Sequence, residues 1–417
     1  MMEVAHHKKI IAITVGVLVT FWASSIKGSY QVYFLDLASM CGLGRGMFSL
    51  SSALFGLSIG ILSPVVGWIC DRVGPALTIL SGVLVAIFTY LAMMLPFNFW
   101  VFLILFGVLA AYALTAMTFV PLALLVDRIF ANKNKGMAYA AITNGTAIGF
   151  MVLSPFWVWL NTFLIWKDIS MIIFMVFAGV ILPSCIWLCK TFPRKEFVTE
   201  QVNGGSSDKS EAWFHHLRKP LFILLAISFA GCGASMAYID VHLVPLLQER
   251  FTEGGSGATI VASSLSVLGA AELIGAFVVG YVLRFSKPAV VLSVMYALRA
   301  GSLVILLFAD SLIMCLVFAV LFGLSYMGTV IVTSLMCLTL YGEKIKGKVF
   351  GCLFSVHQVF VFGTVWLGGI TYDWTQSYAL ITWGVTGLCL ISMGTGVVFY
   401  YSKVLEKRSE PEALTVS

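Results

Sequence analysis

MFSLSSALFGLSIGILSPVVGWICDRVGP, residues 47–75, begins with twenty-four residues that carry no charge and closes on Asp71, Arg72 and a Gly-Pro turn. As an α-helix the uncharged run is about 36 Å long at 1.5 Å per residue, enough to cross a hydrocarbon core of roughly 30 Å. It therefore reads as a membrane span that ends at Asp71.

Runs of the same kind recur along the 417 residues, at 10–35, 47–70, 76–96, 98–126, 137–161 and 168–190, then at 220–247, 258–283, 288–308, 312–341, 349–371 and 376–402. The expected fold is an all-α membrane protein of twelve transmembrane helices. Composition agrees: 60% of the residues are apolar and 11% charged, against roughly 50% and 25% in soluble domains. That balance excludes a water-soluble enzyme and leaves no room for a large soluble domain. The net charge of +6 is a topological signal rather than the footprint of a nucleic-acid partner. With the amino terminus inside, about twenty Lys and Arg lie on the cytoplasmic face, Arg45, Lys167 and Arg250 lie outside, and two lie within spans. The positive-inside rule then places both termini in the cytoplasm of a cell membrane, cytoplasmic or inner. His6, His7, Lys8 and Lys9 before an apolar run also resemble the start of a signal peptide. The run continues to Leu35, longer than a signal core, so an uncleaved first helix is expected.

The one long polar stretch, residues 192–219, divides the chain into a half at 1–191 and a half at 220–417 and reads as a cytoplasmic linker. Shifting the first half by 213 positions lays VVG of Val65 to Gly67 on VVG of Val278 to Gly280 and Pro75 on Pro288. Two parallel six-helix repeats explain this coincidence, and in such carriers the substrate site lies near mid-membrane. Close glycine pairs such as Gly145 and Gly149 are a packing signal. The nine cysteines show no CxxC pair and no metal-ligand spacing, so neither disulfides nor a metal are expected. No GxxxxGK[ST] loop appears, which disfavours ATP-driven pumping, and no HExxH motif or nucleophile signature supports a membrane-embedded enzyme; no cofactor is expected. A monomer is expected.

The loop GWICDRVG, Gly67 to Gly74, resembles the signature loop of the major facilitator superfamily, and the likeness extends over nearly the whole chain. That resemblance implies that Gly67, Asp71, Arg72 and Gly74 secure a cytoplasmic gate, with Arg128 as partner and the glycines allowing helix ends to pack tightly. The second copy, GYVLRFSKP from Gly280 to Pro288, has no acidic residue. Two longer stretches, FANKNKGMAYAAITNGTAIG (Phe130 to Gly149) and KGKVFGCLFSVHQVFVFGTVWLGGITYDWTQSY (Lys346 to Tyr378), resemble the monocarboxylate transporter and oxalate/formate exchanger branch. So does VHLVPLL, Val241 to Leu247. The implied function is secondary transport of a small organic anion by alternating access, with protons as coupling ion or with exchange. Export of amphipathic compounds, import of a larger metabolite such as a siderophore, and a non-transporting receptor or scaffold are the competing readings.

Charges inside spans cost roughly 2.5–3.5 kcal/mol each and so mark function or partnership. The 213-residue shift lays Lys27 of the first span on Asp240 of the seventh, giving opposite charges at one depth. Lys27 is a carboxylate-recognition candidate, also because IKGSYQVYF, Ile26 to Phe34, resembles the corresponding region of monocarboxylate transporters. The competing reading is a lysine reaching to the outer headgroups. Asp240 and Glu272 are candidates for proton binding. Arg299 is open to two readings, an ion pair with Glu272 or bidentate contact with an anion. His242 and His357 are candidate proton carriers or helix-to-helix hydrogen bonders. Trp22, Tyr30, Tyr33, Tyr238 and Trp366 are candidate cavity-lining aromatics.

Overall fold

The computed structural model describes residues 6–129, 132–192, 213–251 and 257–402. Its described residues contain twelve helices long and apolar enough to span a membrane: α1 (His7–Val32), α2 (Arg45–Val73), α3 (Pro75–Ala92), α4 (Phe99–Asp127), α5 (Ala138–Asn161), α6 (Trp166–Thr191), α7 (Pro220–Arg250), α8 (Gly257–Val282), α9 (Pro288–Leu307), α10 (Leu312–Gly342), α11 (Ile345–Thr375) and α12 (Ala379–Ser402). Each lies within a few residues of a hydropathy run. Most of the linker expected at 192–219 falls outside the described residues.

Helix ends follow local chemistry. Gly74 sits at φ +91°, where an L side chain is strained, and its N–H closes α2 on the Cys70 carbonyl at 2.9 Å. Pro75 then opens α3, where its missing N–H costs nothing. Pro288 opens α9 in the same way. Gly342, at φ +69°, separates α10 from α11.

The fourth helix of each repeat is broken near its middle. In α4 the break is at Thr118, whose φ/ψ of −118°/−141° is non-helical. In α10 the first helical segment ends at Tyr326 and the second begins at Gly328. The breaks lie within a few positions of each other under the 213-residue shift, so the internal repeat extends to helix irregularities.

The chain forms two compact units, residues 1–207 with 240–269, and residues 208–239 with 270–417. In unit 1, α1 and α5 approach closely: a Cβ on Gly145 would collide with the Thr20 hydroxyl, and one on Gly149 with the Phe21 carbonyl and Ser24 hydroxyl. The same crossing recurs in unit 2 between α7 and α11, where a Cβ on Gly233 would collide with the His357 carbonyl. Gly233 is the shifted counterpart of Thr20, so the seam is kept while the small residue changes helix. This is packing by close backbone approach, as expected where lipid provides no hydrophobic drive between helices. Tyr30, Phe48, Phe102 and Phe106 stack beside α1 with centroid separations of 4.1–6.3 Å.

Candidate functional site

Lys27 lies on α1 just after a local irregularity at Ser24, whose hydroxyl bonds the Phe21 carbonyl at 2.6 Å, a back-bond of the kind that bends helices. One turn to either side, Ala23, Ser24, Tyr30 and Gln31 are all buried. Lys27 therefore projects from the inward face of α1 and not from the lipid face. Its side chain nevertheless remains 46% exposed, so the inward side of the helix is accessible there.

The structure brings Lys27 and Asp240 together, with Nζ 3.1 Å from Oδ2 and Asp240 22% exposed. Both belong to unit 1, because residues 240–269 pack with the first part of the chain. Further contacts accompany the pair. The Gln248 amide donates to the Val32 carbonyl at 3.4 Å, and the buried His242 ring meets Phe34 edge-on at 6.0 Å. Arg45, at the start of α2, pairs with Glu249, in the last turn of α7, at 3.1 Å. A cation at a helix amino end and an anion at a carboxyl end each oppose the helix dipole, and pairing offsets that cost. On α8, Ser266 donates to the Met151 carbonyl of α5 at 3.3 Å. Sequence reasoning missed the Arg45–Glu249 pair because each residue, taken alone, is an ordinary charge at a span end.

Unit 2 holds a different arrangement around Arg299, which is wholly buried. Its guanidinium donates from Nη1 to Ser235 Oγ at 2.9 Å, from Nη2 to the carbonyls of Ser325 at 2.7 Å and Tyr326 at 2.9 Å and to Thr329 Oγ1 at 3.2 Å, and from Nε to Ser325 Oγ at 3.4 Å. Tyr296 and Phe322 flank it, with centroids at 5.8 and 5.3 Å. Both sequence readings of Arg299 are corrected. Glu272, half-buried on α8, is not among the partners seen, and each nitrogen of the wholly buried fork already donates to a protein oxygen. The physical reason is the break in α10: the carbonyls of the last two residues of its first segment, Ser325 and Tyr326, receive donors from Arg299. A further neighbour, the Cys232 thiol, lies 3.1 Å from Thr329 Oγ1. The serines and threonines around Arg299 carried no warning in the sequence, since hydroxyl residues are common in membrane helices.

His357 is nearly buried, with Nδ1 3.1 Å from Gln358 Oε1 and its ring against Phe229 at 4.7 Å. Tyr30, Tyr33 and Tyr238, expected as lining aromatics, are instead buried in the packing, and Tyr238 hydrogen-bonds Thr382 at 2.6 Å. In the signature loop, Asp71 and Arg72 are exposed, and the Arg72 guanidinium stacks over Trp68 at 4.0 Å. The expectation that Gly67 permits tight helix packing is corrected: a Cβ there would meet nothing within 4 Å. The side chain of Arg128 lies outside the described residues.

Twelve membrane-length helices, with opposite charges meeting between two of them, define a multi-pass integral membrane protein. The chain belongs to the Major Facilitator Superfamily, whose family model matches residues 10–363. It is 27% identical over 395 residues, 93% of each chain, to the uncharacterized MFS-type transporter YcxA of Bacillus subtilis (strain 168). Among solved structures it resembles a bacterial homologue of the human lysosomal transporter Spinster in an inward-facing, unoccupied conformation, with TM-score 0.71, 14% identity and coverage of 98% of this chain and 100% of that one. A mutant of the nucleoside transporter NupG gives TM-score 0.73 at 11% identity, covering 96% and 100%. At these identities the likeness is one of fold. Family and relative are transporters, and the chain is a transporter and not an enzyme.

Proposed function

We propose that this transporter moves a small organic anion, most simply a carboxylate, across a cytoplasmic membrane with both chain termini inside, and that Lys27 is the anion's partner. The observation that carries the reading is the accessible Lys27–Asp240 pair, Nζ to Oδ2 3.1 Å, on the inward side of α1. An ion pair with both members accessible is worth about 1 kcal/mol or less. An incoming carboxylate can therefore take the place of Asp240 at little cost, while a bare lysine within the span would be expensive. Substrate and Asp240 compete for one ammonium, and alternation between the two partnerships couples binding to conformational change. Asp240, released when the anion binds, is then the group placed to take a proton, which accounts for symport; without protonation the same scheme is an anion exchange. The resemblance of Ile26 to Phe34 and Lys346 to Tyr378 to the monocarboxylate and oxalate/formate branch supports the same substrate class.

The test is uptake of labelled small carboxylates into proteoliposomes with and without a pH gradient, comparing the native protein with Lys27→Gln. Saturable carboxylate flux that falls at least about tenfold in the variant is expected, equivalent to about 1.4 kcal/mol of lost recognition. Carboxylate flux indifferent to Lys27, or transport only of amphipathic cations or nucleoside-sized neutral solutes, would refute the anion reading.

A further inference from the structure

The second copy of the signature loop, GYVLRFSKP, keeps two cations and lacks the acid that the first copy has at Asp71. In the structure this segment forms the short turn from α8 to α9, with Arg284, Phe285 and Lys287 all exposed. Aromatic side chains meet there: Tyr281 is 61% exposed and Phe285 75%, with ring centroids 5.4 Å apart. The cations lie over rings. Lys287 Nζ is 5.1 Å from the Tyr400 centroid, which ties the turn to α12, and the Arg284 guanidinium is 6.0 Å from that of Tyr281. The seam between α9 and α12 is closed beneath them, since a Cβ on Gly396 would collide with the Ser293 hydroxyl. The patch thus belongs to unit 2, formed by the α8–α9 turn and the end of α12, which packs along α9.

Amphipathic aromatics exposed at the ends of spans sit at the level of lipid headgroups, and basic groups beside them meet the lipid phosphate. A zwitterionic headgroup brings its own cation to this site and is opposed by Arg284 and Lys287. A net-anionic headgroup brings no such cation, and the exposed valines Val290, Val294, Val397 and Val398 on the adjoining helices offer an apolar surface for its acyl chains. We infer that the α8–α9 turn, with Arg284, Lys287 and the aromatic group Tyr281, Phe285 and Tyr400, is a binding site for an anionic phospholipid. The loss of the acid from the second signature loop is what permits it: a carboxylate at the position corresponding to Asp71, which the shift places at Arg284, would repel the phosphate. The first copy, with Asp71 beside Arg72, lacks this net charge.

Native mass spectrometry of the purified full-length protein, titrated with phosphatidylglycerol and with phosphatidylcholine of the same acyl chains, tests this. The native protein is expected to retain phosphatidylglycerol preferentially, and the preference to fall about fivefold for each charge removed in Arg284→Gln and Arg284→Gln/Lys287→Gln. Lys167→Gln, a cation of unit 1 outside this patch, is expected to leave it unchanged. Raising salt on the native protein is expected to erode the preference through screening, a readout that needs no folded variant. Equal retention of the two lipids, a preference that survives the double substitution, or one insensitive to salt would overturn the site. Displacement of the lipid by millimolar glycerol 3-phosphate would overturn it in favour of a soluble phosphate ligand.

Discussion

Lys27 and Asp240 are separated by 213 positions in the chain and by 3.1 Å in space, and their balance sets the behaviour of the proposed site. Removing the carboxylate by Asp240→Asn takes away the anion's competitor while leaving the ammonium without a partner in the empty carrier. The expected outcome is a KM for anion uptake lowered about fivefold, matching about 1 kcal/mol of lost competition, together with a lower maximal rate because the unloaded lysine must recross unpaired. Initial-rate kinetics in proteoliposomes read both quantities separately. Arg299 belongs to the same scale with a different role. Because it satisfies the carbonyls of Ser325 and Tyr326 and the hydroxyl of Ser235 in a fully buried setting, Arg299→Ala leaves several polar groups without donors and is expected to cost about 3 kcal/mol. Arg299→Lys, with one point charge in place of a planar fork, should recover only part of that. Thermal unfolding of the detergent-solubilised protein measures the difference, and an unchanged midpoint for Arg299→Ala would refute the bracing role.

Among the elements, the turn from α2 to α3 separates two glycines that the sequence makes look alike. Gly74 occupies φ +91°, ψ 159°, a region essentially reserved for glycine, so Gly74→Ala is expected to destabilise by about 1–3 kcal/mol through backbone strain. Gly67 lies in helical backbone with open space at its missing Cβ, so Gly67→Ala is expected to be neutral or to stabilise by up to about 1 kcal/mol. Parallel thermal midpoints for the two variants check both signs. The contrast also shows how much of a motif is legible. Gly-Pro after an apolar run announces a helix boundary without any structure, whereas whether a glycine inside the helix faces a neighbour or nothing depends on where the other helices come to lie.

For the molecule as a whole, the proposed alternating access requires contacts made in one state to part in another. The Arg45–Glu249 pair joins α2 to α7 within unit 1. Bridging Arg45→Cys and Glu249→Cys with a bis-methanethiosulfonate cross-linker long enough to replace the two side chains is expected to abolish uptake, and a reductant to restore it. Uptake that continues through the cross-linked protein would show that these ends stay together throughout the cycle.

Twelve spans, two repeats and the opposition of Lys27 to Asp240 were legible in the amino-acid sequence, because an uncharged run of membrane length has few other structures open to it and because a constant shift relates equivalent positions. The sequence alone also marked Arg299 and Glu272 as charges needing an explanation. Only the tertiary structure decided what that explanation is for Arg299, since its partners are carbonyls beside a helix break and hydroxyls brought in from two other helices, groups that no one-dimensional pattern distinguishes from hundreds like them. The same holds for the assignment of Asp240–Gly269 to the first unit. Hydropathy records which residues leave water, while the choice of neighbours is made by the close approach of helix faces, at seams such as Thr20 with Gly145 and Gly233 with His357.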